Sequence, residues 1–146
     1  MSEPVSFQVF DISASALAAE RTRLAVISQN IANAEVTKAA NGQPYRRQRV
    51  MFQGVLAQEV ARRGKGEGGV PAGGVRAIVG DAPGDFQRIK DPGHKDADKD
   101  GWVMKPNVNV IEEMVDMIDS SRTYEANLSA LRTWKQMLSR TLEMNR

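Results

Sequence analysis

The sequence predicts an α+β chain in which two long terminal helices pack as a coiled-coil-like hairpin and carry a small β-hairpin-rich, loop-rich segment between them. Three observations lead there. Six of the seven leucines (Leu17, Leu24, Leu128, Leu131, Leu138 and Leu142) lie in the terminal segments. Both of those segments repeat apolar residues at helical spacing. Ten of the twelve glycines fall in residues 64 to 101, where they favour turns over regular elements. The division implied is a discontinuous helical core domain, residues 1–36 plus 107–146, with an inserted β/loop segment over residues 37–106.

In the N-terminal segment Phe10, Leu17, Leu24 and Ile31 recur every seven residues, with Ile27 and Ala34 at intermediate positions and Ser13 and Glu20 interrupting that second row. This is the pattern of an amphipathic helix. Ser13, with Ile12 and Leu17 on either side as an apolar staple, is placed to cap it, so the spacing predicts a start near residues 11 to 14. The stretch "SQNIANAEV", residues 28 to 36, ends the helix with Asn30 and Asn33 outside the Ile27, Ile31 and Ala34 positions. Asparagine is a poor helix former, and two uses for these amides compete. A left-handed cap accounts for one of them. Hydrogen bonds to a neighbouring helix or chain account for both, because an amide offers paired donors and acceptors that fix register.

The stretches "PYRRQRVMFQGVLA" and "GVRAIVGDAPGDFQRI" have extended character and predict short hairpins. Between them "GKGEGGVPAGG", residues 64 to 74, holds six glycines in eleven positions and reads as a flexible loop. After an acidic turn leading into a strand at Trp102, Val110, Met114, Met117, Ser121, Tyr124, Leu128, Leu131, Lys135, Leu138 and Leu142 alternate steps of four and three. Asn109 with Glu112 makes a capping box just beyond Pro106, and neither Pro nor Gly follows. One helix over 110–143 would span about 51 Å and one over 11–34 about 36 Å, leaving roughly 15 Å of the second stripe without a partner from its own chain. The candidate packing and assembly residues are therefore Leu17, Leu24, Ile27 and Ile31 on the first helix, and Val110, Met114, Met117, Tyr124, Leu128, Leu131, Leu138 and Leu142 on the second. Val, Ile, Leu and Phe make up 32 of the 146 residues, barely above the composition at which chains fail to bury enough apolar surface to fold. Frayed helix ends are expected in the free monomer.

Little in the chain points to catalysis. It has no cysteine, which removes disulfides, thiolate nucleophiles and cysteine metal sites. "DADKDG" matches the opening of a calcium loop at Asp96, Asp98, Asp100 and Gly101, but the twelfth position is Asn107 where a bidentate Glu belongs. His94, the single histidine, reads as a solvated loop residue, and no glycine loop leads into Lys-Ser or Lys-Thr at a helix start. No enzyme, metal or cofactor is expected. The net charge of +2 excludes little. The cluster Arg46, Arg47 and Arg49, near Tyr45 and Phe52, keeps an alternative open: a basic coiled-coil adaptor or a nucleic-acid-binding module.

"SQNIANAEVT" followed by "GQPYRRQ", and "KPNVNVIEEMVDMIDSSRTYEANLSALRT" near the other end, resemble the N- and C-terminal signatures of bacterial flagellar axial proteins, with the basal-body rod family as the nearest match. Asn30, Asn33, Tyr45, Arg46, Arg122, Tyr124 and Asn127 occupy family-pattern positions. The resemblance implies a structural subunit of the proximal rod, with its helices in the wall of a hollow shaft and the β-rich part outside. It implies export through the flagellar type III apparatus without a cleaved signal, and a place in the periplasmic rod. Its implied partners are other copies of itself, the sister rod proteins FlgB, FlgF and FlgG, and the rod-base adaptor FliE; neither nucleic acid nor a small-molecule substrate is among them.

Overall fold

The computed structural model describes residues 5–55 and 73–144. Its elements run α1 (Val5–Ala32), β1 (Gln48–Gly54), β2 (Val75–Asp81), β3 (Gln87–Lys90), β4 (Trp102–Lys105) and α2 (Val110–Met144). This is the α+β order that the sequence predicts, two terminal helices around two small hairpins. The predicted flexible loop at 64–74 lies, for all but its last two residues, outside the described residues.

α1 starts at Val5, upstream of the start that the Ser13 cap predicts. The Ser13 hydroxyl donates to the Val9 carbonyl at 2.9 Å. A serine that bonds back one turn satisfies its hydroxyl without ending the helix, so Ser13 sits inside α1. The other end also differs from the left-handed cap considered for the asparagines, because every described residue with positive φ is a glycine. Asn33 instead keeps a right-handed backbone, and both its main-chain N–H (3.0 Å) and its Nδ2 (2.8 Å) donate to the Gln29 carbonyl.

β1 and β2 form one two-stranded sheet and β3 and β4 another. In the first, Val55 faces Gly74 and Arg47 faces Ala82 through main-chain hydrogen bonds, which makes the pairing antiparallel. In the second, Gln87 pairs with Lys105 and Lys90 with Trp102, also antiparallel. The acidic turn expected before Trp102 closes through Asp98, whose N–H donates to the Trp102 carbonyl at 2.8 Å, while the Gly101 N–H donates to the Asp98 carbonyl at 3.0 Å. Gly101 has φ 76°, and a Cβ there would lie 3.0 Å from Pro92 Cγ. Glycine is thus required twice over, by conformation and by space.

α2 begins where the Asn109–Glu112 pair predicts, although the bonds differ from those of a capping box, with Ile111 in place of Glu112 as the main-chain donor and Glu112 bonded to the Asn109 side chain. Asn109 Oδ1 accepts from the Ile111 N–H at 3.1 Å, and Asn109 Nδ2 donates to Glu112 Oε1 at 3.0 Å. Its bounds, 110–144, lie within a residue of the expected 110–143.

The described residues form two compact units. One holds residues 5–22, 52–55, 73–78 and 119–144, the other residues 23–51 and 79–118. In the first, α1 and α2 run antiparallel: Phe10 meets Trp134 with ring centroids 6.4 Å apart, and the Ser120 hydroxyl donates to Glu20 at 2.8 Å. The second contains most of the buried apolar residues, among them Val26, Ile27, Ala82, Val103 and Val108. Since the Asn109 side chain supplies the first turn of α2 with an acceptor, Asn109→Ala is expected to lower stability by about 1 kcal/mol. Denaturant unfolding of the purified chain measures this, and an unchanged midpoint would show that the cap contributes nothing.

Candidate functional site

Asn30 is where sequence and structure converge. In the last turn of α1, its side chain is 1% exposed, and a primary amide can donate two hydrogen bonds and accept two. All four are made. Nδ2 donates to the Gln48 carbonyl (2.8 Å) and to Glu113 Oε2 (2.9 Å). Oδ1 accepts from the Tyr45 hydroxyl (2.9 Å) and from the Gln48 N–H (3.0 Å). One amide therefore holds α1 to the first residue of β1, to the loop before it, and to the first turns of α2.

Glu113 brings a carboxylate into this interior, also 1% exposed. An unpaired buried carboxylate is costly, so its two oxygens need partners. Oε2 takes the Asn30 amide, and Oε1 takes Arg47 Nε at 2.5 Å. Arg47 also reaches Asp116 with Nη2 at 3.5 Å, and its main-chain N–H donates to Asn107 Oδ1 at 2.9 Å. Burial, and then the negative charges of Glu113 and Asp81, push the Tyr45 phenol above its ordinary value of 10.0. Tyr45 stays a neutral hydrogen-bond donor at any physiological pH.

The remaining family-pattern positions divide. Arg46 lies over the Phe86 ring with its Cζ 4.6 Å from the centroid, and Nη1 donates to the Gly84 carbonyl at 3.1 Å. Asn33 closes α1 as described. Tyr124 and Asn127 are half-buried and Arg122 is exposed on α2. Of the candidate packing residues, Ile27 is buried; Leu17, Leu24, Ile31, Val110, Met117, Tyr124, Leu128 and Leu131 are half-buried. Met114, Leu138 and Leu142 are 52%, 37% and 64% exposed in the single chain.

Two of the three clustered arginines are thus engaged in internal contacts, Arg47 with carboxylates and Arg46 with a ring and a carbonyl, and a phosphate would have to compete with both. In the acidic turn Asp98 Oδ1 accepts from the N–H groups of Asp100 (2.9 Å) and Trp102 (2.8 Å). The Thr37 hydroxyl donates to Asp96 Oδ2 at 2.7 Å and holds that carboxyl below the usual range. These carboxylates organise the loop, and no group of three or more acidic or histidine side chains placed to hold a metal occurs among the described residues.

Sequence reasoning missed Glu113, which sits one step off the apolar stripe, and missed Glu20 as the partner of Ser120. Glu20 carried a signal: it is the one carboxylate in the apolar heptad row, and a charged interruption there marks a polar contact between helices.

The chain is thus an α+β protein whose buried polar side chains are satisfied among the described residues and whose α2 carries exposed apolar residues. Comparison with known proteins makes this specific. Residues 10–39 match the family model described as flagella basal body rod protein, and residues 99–144 match that for the C-terminal part of flagellar basal body rod FlgEFG proteins. The chain is 39% identical to the flagellar basal-body rod protein FlgC of Bacillus subtilis (strain 168), over 97% of this chain and 99% of that one. It is 41% identical to FlgC of Salmonella typhimurium and 42% identical to FlgC of Yersinia enterocolitica, in each case over 93% of this chain and 95% of the relative. The chain belongs to the flagellar basal-body rod protein family, as an FlgC-like member.

Two expectations follow from the geometry. Asn30→Leu keeps the branched shape but strands Glu113 Oε2, the Gln48 main chain and the Tyr45 hydroxyl, so it should cost about 3 kcal/mol in urea unfolding; Ile27→Val nearby should cost only about 1 kcal/mol. Equal small losses would remove the amide from its central place. For Tyr45 the folded state binds the phenolic proton more tightly than the unfolded state does. Its contribution is therefore full below pH 10 and is lost as the pH rises through the raised value. Tyr45→Phe should flatten the stability profile above that pH, and an unchanged slope would contradict the assignment.

Proposed function

We propose that this chain is a structural subunit of the proximal rod of the bacterial flagellar basal body, part of the drive shaft, acting by assembly and not by catalysis. Full-length similarity to FlgC proteins carries this reading. The exposed apolar side chains along α2 support it, because an apolar stripe without cover among the described residues suits a subunit that completes its packing on neighbours. In this reading residues 1–36 plus 107–146 form the assembly core and residues 37–106 the outward segment. Met114, Leu138 and Leu142 meet neighbouring subunits, while Ile27, Leu128 and Leu131 hold the subunit together.

A head-to-tail contact that does not close generates a helical array, the symmetry a rod needs. The partners in this reading are other copies of the chain, the sister rod proteins FlgB, FlgF and FlgG, and the rod-base adaptor FliE. The subunit reaches the rod through the flagellar export apparatus. The limited apolar content favours this route, since a chain that folds fully only on assembly stays thin enough to pass a narrow channel.

Mass spectrometry of detergent-purified basal bodies, from the wild type and from a strain lacking this chain, tests the proposal directly. The protein should be present in the first, and rods should be missing from the second; intact rods without it would refute the reading. Leu138→Asp should abolish rod assembly while the purified chain still folds, because Leu138 is already exposed. Leu131→Asp, at a half-buried position, should lose both.

A further inference from the structure

Charge is distributed unevenly along α2. Residues 110 to 121 carry Glu112, Glu113, Asp116 and Asp119 and no basic residue, whereas residues 126 to 142 carry Arg132, Lys135 and Arg140 and no acidic one. Each end also has an uncovered apolar row. Near the start, Ile111, Met114, Val115 and Ile118 are 74%, 52%, 53% and 53% exposed. They recur at steps of three and four, so they line one face of the helix, and Glu112, Asp116 and Asp119 run beside them at the same spacing. Near the end, Met137, Leu138 and Leu142 are 55%, 37% and 64% exposed, and Lys135 precedes Leu138 by three residues and Leu142 by seven, on the same face. From Ile111 to Ile118, and from Lys135 to Leu142, each face spans about 10 Å of helix.

We propose that the acidic apolar face at Ile111, Val115 and Ile118 receives the basic apolar end at Lys135, Leu138 and Leu142 of a second copy of this chain. The two faces match in length, both bury apolar side chains on contact, and their rims carry opposite charge, which selects this pairing over acidic-to-acidic or basic-to-basic contact. The contact joins different surfaces of the two copies, so it is heterologous and leaves one face of each kind free at either end of a row. The proposal rests on the rod-subunit reading and names one interface within it.

The absence of cysteine from the chain allows a clean test. Cells making equal amounts of Val115→Cys and Leu138→Cys copies are treated with a mild oxidant, and the isolated basal bodies are analysed for disulfide-linked peptides. A mixed 115–138 disulfide between copies is expected at least tenfold above 115–115 and 138–138 products. The double change Lys135→Glu and Arg140→Glu in the Leu138→Cys copies should lower its yield several-fold. Glu112→Lys with Asp119→Lys in the Val115→Cys copies should restore it. Intact rods with no mixed disulfide, or with the Leu138→Cys copies linked to a different protein, would overturn this interface and leave the rod reading standing. Absence of the chain from basal bodies would overturn both.

Discussion

The saturation of one buried amide governs the second unit. Asn30 makes every hydrogen bond that its side chain can make, and each goes to a different structural neighbour or a different main-chain group. Apolar contacts are non-directional, and shifting them by one helical turn often costs little. A four-valent polar centre admits one arrangement. The same logic explains the buried Glu113, which would be a liability alone. Between Asn30 and Arg47 it links a helix end, the start of a strand and the opening turns of α2. Such a core contributes less through apolar area than through specificity, in keeping with a chain of modest apolar content.

The sequence disclosed the elements better than the contacts. α2 was legible nearly to the residue because its signals are local: an Asn109 cap after Pro106, a stripe without a slip, and no breaker inside it. The start of α1 was not, because Ser13 is equally at home as a cap and as a mid-helix residue bonded one turn back, and periodicity alone does not distinguish the two. The amide pair was half legible. Two asparagines exceeded what a helix end needs, which pointed to a second role for one of them. Which residue would face it, however, depends on how loop and strand return to the helix, and no periodicity encodes that return. Glu113 illustrates the difficulty most clearly: an acidic residue in the first turn of a helix is the commonest of surface features, and only three-dimensional neighbours make it an interior one.

The arginine cluster carries a complementary lesson. Three arginines in four positions suggest phosphate binding when read along the chain. In the fold, Arg46 stacks on Phe86 and Arg47 bridges two carboxylates, so the run is divided between different faces and different tasks. Density of charge in sequence is not density of charge in space. The acidic turn behaves alike, since Asp98 and Asp96 give their oxygens to loop amides and to Thr37.

The buried polar pairs also have a mechanical meaning. A shaft under torque tends to shear neighbouring helices along one another, and greasy surfaces yield to slow shear by creeping from one set of contacts to the next. If α2 slipped by a turn at Asn30, Glu113 would be replaced by Asn109 or Met117, and a thioether cannot stand in for a carboxylate beside an amide and a guanidinium. Creep would have to cross a barrier set by several simultaneous, directional bonds. Within that unit, Asn30 and Glu113 act as a dowel, and stiffness against sliding comes from chemistry that contributes only modestly to equilibrium stability.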